Sequence, residues 1–216
     1  MKKITLLLVL FCIVAFSAMS QTQLEKGKLF LGVTSTIALG GSEGSELFGF
    51  GFITEKYKYG SGPAEAEYKQ FVYNILPKAG YFIIDNLVAG LEVVVTGNKW
   101  TDIDDDDAYK ESTLGIGPFV RYYYPLEKIY PFAEVEAIFG SCRESWIDEV
   151  DKDPMFMFGI NLGASLPLGD RVTFDGSLGY SRTTYSWEDE EASVDNKDIF
   201  GGIGFRFGFS VYLPVK

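Results

Sequence analysis

Seven charged residues, Lys78, Glu92, Arg121, Glu134, Glu136, Asp175 and Arg206, sit inside segments whose other positions alternate between apolar and small side chains. Successive side chains of a β-strand point to opposite faces. By that parity all seven share the side away from the aliphatic and aromatic positions. Glu92 goes with Gly90 and Thr96, for example, against Leu87, Ala89, Leu91, Val93 and Val95. A three-residue turn at Ile84-Asp85-Asn86 predicts Lys78 directly opposite Glu92, and the next hairpin predicts Arg121 diagonal to Glu134. Opposite charges across a strand pair stabilise a sheet, and charges taken out of water must be paired. The chemistry expected of the seven is therefore a hydrogen-bonded plug. The same residues would line a narrow gated pore if they did not fill the interior.

Catalysis is bounded by what the chain lacks. There is no histidine, which removes Ser-His-Asp and Cys-His nucleophile systems and histidine-dependent zinc sites. Glu134 and Glu136 share a face, but paired carboxylates need a substrate cleft, and a small barrel is filled by its own side chains. Cys142 stands outside the N-terminal apolar run that holds the other cysteine, Cys12, and is read as incidental. The acidic segment Asp102-x-Asp104-x-Asp106 has the start of a calcium-loop spacing. Asp107 replaces the glycine of that loop, and Thr113 stands where its final glutamate belongs. Asp102, Asp104 and Asp106 are read as part of a solvated acidic rim, with divalent-cation bridging to anionic lipopolysaccharide or a partner as the alternative. No metal site or cofactor is expected. A net charge of −11 gives no basic footprint for nucleic acid.

The elements that must position these residues are strands. Residues 1–20 are set aside first. Met1-Lys2-Lys3 is a basic start, Ile4 to Phe16 an apolar run, and Ser17-Ala18-Met19-Ser20 a small-residue cleavage site. That is the pattern of a secretory signal peptide. Residues 21–216 then form one domain. Strands are predicted at Lys28–Leu39, Lys69–Phe82, Leu87–Asn98, Ser112–Tyr123, Ile129–Gly140, Met155–Pro167, Val172–Ser186 and Asp198–Leu213. Each is long enough to cross a bilayer at a tilt. Their connections alternate between tight turns and longer segments, as in a meandering membrane barrel with short periplasmic turns and longer outer loops. The fold class predicted is all-β, an eight-stranded antiparallel up-and-down transmembrane β-barrel. Trp100, Trp146 and Trp187 lie at one set of strand ends, and Tyr81, Tyr122, Tyr130 and Tyr212 at the other. They are read as two interfacial aromatic belts. Pro77 and Pro118 fall inside strands, where a lost ladder bond predicts bulges or earlier strand ends.

The hairpin Pro77-Lys78-Ala79-Gly80-Tyr81-Phe82-Ile83-Ile84-Asp85-Asn86-Leu87-Val88-Ala89-Gly90-Leu91, with the segment Gly201-Gly202-Ile203-Gly204-Phe205, resembles the small outer-membrane β-barrel family of the OmpA, OmpX and OmpW kind. The resemblance implies an integral protein of the bacterial outer membrane, delivered by the barrel-insertion machinery. It also implies contact with outer-membrane lipid and lipopolysaccharide, and a monomer. The function expected is non-enzymatic, structural or surface-interacting through the acidic loops, with the interior plugged. A narrow channel or transporter for small or hydrophobic solutes is the first alternative. A soluble lipocalin-like ligand-binding barrel is the second.

Overall fold

The computed structural model describes residues 24–39, 50–57, 66–102, 108–124, 126, 128–146, 149–189 and 194–214. Residues 1–20, which carry the signal-peptide pattern, and residues 103–107 lie outside them, so Asp104 and Asp106 are not described. Nine strands are present among the described residues: β1 Lys28–Leu39, β2 Phe50–Tyr57, β3 Ala66–Ile84, β4 Leu87–Asp102, β5 Ala108–Tyr123, β6 Tyr130–Trp146, β7 Glu149–Pro167, β8 Val172–Asp189 and β9 Val194–Pro214. Each pairs antiparallel with its sequence neighbour from β2 through β9, and β1 closes the wall by pairing with both β9 and β3. The closed wall has eight strands. β2 is an addition, laid against the upper half of β3 from Phe50 opposite Tyr73 to Tyr57 opposite Ala66.

The register fixes the geometry of the barrel. A line of paired residues runs from Leu29 through Tyr81, Ala89, Val120, Val135, Ile160, Tyr180 and Ile203, and returns to β1 at Leu39, ten residues beyond its start. That stagger over eight strands tilts them by about 40° from the barrel axis at ordinary strand rise and spacing. Large apolar side chains crowd the outward face along this band. Leu162, Leu114 and Phe139 are 65%, 62% and 59% exposed. With about 2.5 Å of height per residue at that tilt, the band stands ~25 Å tall, the apolar height of an outer-membrane barrel. A lipocalin-like barrel would have turned this face inward, so that reading is set aside.

Three sequence expectations change. The predicted long connections are mostly ladder. β4 and β5 stay paired out to Thr101 and Ala108, β6 and β7 to Trp146 and Glu149, and β8 and β9 to Asp189 and Val194. These stretches lack apolar alternation because no lipid faces them, yet their backbone groups still pair. Arg121 is directly opposite Glu134, not diagonal to it, because the turn from Tyr123 to Tyr130 is longer than the predicted one. At the prolines the register does not shift. Pro77 pairs with Val33 of β1 while its ladder to β4 skips from Ile75 to Lys78, and Pro118 pairs with Leu91 of β4 while its ladder to β6 skips from Ile116 to Phe119. Each proline therefore turns its missing N–H to one side only. The register shift recorded in the wall falls instead between Phe82 and Ile84, next to the turn where Asn86 adopts a φ of 67°. Asparagine tolerates that left-handed conformation better than other non-glycine residues.

Candidate functional site

The inward positions of the strands form three layers. At the end of the tight turns, Phe30, Phe82, Val88, Phe119, Tyr123, Tyr130, Phe132 and Tyr212 make one buried cluster, closed from below by Leu24. The segment before β1 is tied beneath it. The Gly27 N–H donates to the Phe82 carbonyl (3.0 Å), the Asn86 N–H to the Leu24 carbonyl (2.7 Å) and the Lys26 N–H to Asp85 Oδ1 (2.8 Å). Phe82 and Tyr123 stack at 6.2 Å, and Tyr212 meets Phe30 edge-on at 5.9 Å. The uppermost layer of the three is apolar again, built from Leu76, Val94, Ile138, Met155 and Met157 with Tyr185 against it.

Between them lies the charged layer, and the structure brings all seven residues singled out by strand parity into it. Lys78, Glu92, Arg121, Glu134, Glu136, Asp175 and Arg206 are each no more than 6% exposed. Arg121 is the hub. Its Nε donates to Glu134 Oε2 (2.6 Å), and its Nη1 donates to Asp175 Oδ2 (2.6 Å) and to the Tyr123 hydroxyl (3.0 Å). Its guanidinium lies 4.0 Å from the centre of the Phe132 ring, a cation–π stack that only a planar cation makes well. Lys78 Nζ donates to Glu134 Oε1 (2.8 Å), and Arg206 Nη1 to Glu136 Oε2 (2.6 Å). Asp175 also accepts from the hydroxyls of Thr173 (2.8 Å) and Ser210 (2.7 Å).

One carboxylate is treated differently. Glu92 is fully buried, and neither of its oxygens accepts a hydrogen bond from a described protein group. Its nearest cations are Lys78 at 3.1 Å and Arg206 at 3.8 Å, both already bonded to other carboxylates. Oxygens of Glu92, Glu134 and Glu136 lie within 4.8 Å of one another, a spacing that suits a metal ion. Lys78 and Arg206 already bring positive charge to that spot. The arrangement is an electrostatic lock: three cations held among four carboxylates, buried between the rings below and the apolar layer above.

Strand parity also corrects the aromatic belts. Tyr81 and Tyr122 do face outward, 42% and 50% exposed. Tyr130 and Tyr212 point inward and belong to the aromatic layer, where Tyr212 donates to the Tyr123 hydroxyl (3.2 Å). Trp100 faces the upper mouth and packs on Tyr109 with ring centres 5.0 Å apart. Position along a strand gives the height of a residue, and only its parity gives its face. The side chains of Asp102, Trp146 and Trp187 lie outside the described residues. Grouping aromatics by strand end misses the inner aromatic layer, although Phe119-x-Arg121-x-Tyr123 and Phe132-x-Glu134 place its rings on the same parity as the charges.

Comparison of the whole fold with solved structures finds the outer membrane protein OprG from Pseudomonas aeruginosa at TM-score 0.50. Identity is 12%, over 88% of this chain and 98% of OprG. The E. coli Outer Membrane Protein W is similar at TM-score 0.50 and 13% identity, covering 88% of this chain and 99% of that one. The chain has the fold of a small outer-membrane β-barrel. At such identity the likeness concerns the fold alone. No protein-family model matches the sequence, and no curated protein does.

Proposed function

We propose that this chain is a non-enzymatic integral protein of the bacterial outer membrane whose barrel is closed, so that it acts from its outer surface and rim and not as a conduit. The observation that carries this reading is the Arg121-centred ion layer, buried from both mouths and seated on the aromatic layer. A gated pore would need Arg121 to release Glu134 and Asp175 together, and breaking a buried ion pair costs about 3–5 kcal/mol. The absence of histidine supports the non-enzymatic part. Planar-bilayer recording of the purified barrel tests the closure. A silent membrane is expected, and reproducible single-channel steps would overturn it. Fractionation to the outer membrane with heat-modifiable migration in gels tests the location.

A second reading, passage of small apolar solutes through the wall, is favoured by one feature. Above Thr34 opposite Leu76, β1 stays paired to β9 as far as Leu39, while β3 takes β2 as its partner. Among the described residues β1 and β2 share no ladder. The Ser35 hydroxyl reaches across to the Asn74 carbonyl at 2.7 Å. An S35C/I75C pair, which follows the last ladder step on the outward face and is oxidised to tie the seam, would abolish uptake of an apolar solute into barrel-containing vesicles if the seam is the route. Undiminished uptake would remove this reading.

A further inference from the structure

The tightly paired interior leaves the other cations of the wall unexplained. Lys69, Lys99, Lys110, Arg143, Lys152, Arg182 and Lys197 are spread over every strand from β3 to β9. All seven fall on outward parity, and all seven are exposed. None takes part in an ion pair among the described residues. Lys99 lies across from Lys110, and Arg143 across from Lys152, so like charges adjoin on two hairpins. Cross-strand repulsion of that kind is unfavourable in water alone.

Their height is not scattered either. At the tilt fixed by the register, six of the seven fall within roughly 6 Å of one another, about 6–12 Å beyond the end of the apolar band. Arg182 sits lower, at the band's upper edge and within reach of the same level by extending its side chain. The outward neighbours at this level, among the described side chains, are uncharged, Thr101, Ser112, Ser145, Pro154, Ser186 and Ile199 among them. The acids beside these cations in sequence, Glu111, Glu144 and Asp153, have inward parity. Among the described side chains, a chain with net charge −11 thus presents a basic collar to the membrane at its outer leaflet, with Glu111, Glu144 and Asp153 turned to the lumen.

We infer that this collar binds the phosphates of a phosphorylated glycolipid of the outer leaflet, a lipid A-type headgroup. Phosphate oxygens at the headgroup level just beyond the hydrocarbon complement such cations, and they relieve the Lys99–Lys110 and Arg143–Lys152 repulsions. The inference rests on the membrane-barrel reading above. It moves the glycolipid contact away from the acidic loops, since no bridging divalent cation is needed.

The test compares the full barrel with a K99Q/K110Q/R143Q/K152Q variant, whose replaced side chains are exposed and outside the packed layers. Both are reconstituted in phosphatidylcholine vesicles, alone or doped with lipid A, dephosphorylated lipid A, or phosphatidylglycerol at matched charge. Bound lipid A per barrel is read by native mass spectrometry, and barrel stability by urea midpoint. The unaltered barrel is expected to retain lipid A and gain stability from it, with dephosphorylated lipid A inert and phosphatidylglycerol weaker. At about fivefold per cation removed, the variant holds lipid A roughly several hundred-fold less tightly. Equal effects of phosphatidylglycerol and lipid A, or no loss in the variant, would overturn the inference while leaving the membrane barrel intact. Failure of the unaltered barrel to insert into any vesicle would instead strike at the membrane reading itself.

Discussion

The lower interior of the barrel and its upper rim are made by the same strands but held by different forces. Below, Phe30, Phe82, Phe119, Tyr123, Phe132 and Tyr212 fill the lumen, and Arg121 ties together the charges above them. The paired hairpins above the apolar band place Glu111, Glu144 and Asp153 inward and Lys110, Arg143 and Lys152 outward. In the first region the polar groups are taken from water, and six of the seven charged side chains, all but Glu92, are held by hydrogen bonds. In the second, water or a headgroup serves as well, so single side chains there contribute little to stability.

Substitutions that probe this contrast rank accordingly, all read as urea unfolding midpoints in phosphatidylcholine vesicles by tryptophan fluorescence. Arg121→Ala leaves Glu134 and Asp175 each short of a donor and is expected to destabilise by about 3–5 kcal/mol. Phe82→Ala opens a cavity in the aromatic layer and should cost about 3–5 kcal/mol as well. If either change shifted the midpoint no more than a rim substitution does, the lower half would not be the structural lock described. Gly117→Ala comes next, at about 1–3 kcal/mol. A Cβ there would run into the Ala137 backbone carbonyl, which approaches where β5 and β6 skip their ladder beside Pro118.

Glu92→Gln sharpens the comparison within the charged layer. Since Glu92 accepts no hydrogen bond from a described group, its replacement should change stability by less than about 1 kcal/mol. Glu134→Gln, which weakens bonds to both Arg121 and Lys78, should cost several times more. Equal losses would show that Glu92 is held as firmly as its neighbour. The smallest effect is expected at the rim, where Lys152→Gln should stay within about 0.5 kcal/mol in a zwitterionic membrane.

Much of the charged layer is legible in the chain's alternation. Period-two parity puts Lys78, Glu92, Arg121, Glu134, Glu136, Asp175 and Arg206 on one face, because in a strand the side of a residue is set by its number alone. The same rule, applied to the aromatics, separates Tyr81 and Tyr122 from Tyr130 and Tyr212. Grouping them by strand end hides the inner layer. The hairpins above the band read as loops because hydrophobic alternation reports contact with lipid, whereas ladder bonds form wherever two polar strands can still meet.

The amino-acid sequence by itself determined the strand repeat, the apolar outward face and the inward placement of the seven charges, since each follows from alternation along one strand. Tertiary structure alone decided the stagger of ten residues, the exchange of β1 for β2 beside β3, and which cation meets which carboxylate. Those depend on closure, when strands distant in sequence become neighbours. Arg121 bonds to Asp175 across the lumen, and six of the seven outward cations reach a common height only once the tilt of the closed wall is set. Closure thus turns two sets of charges, alternating along the same strands, into a locked interior and a basic collar.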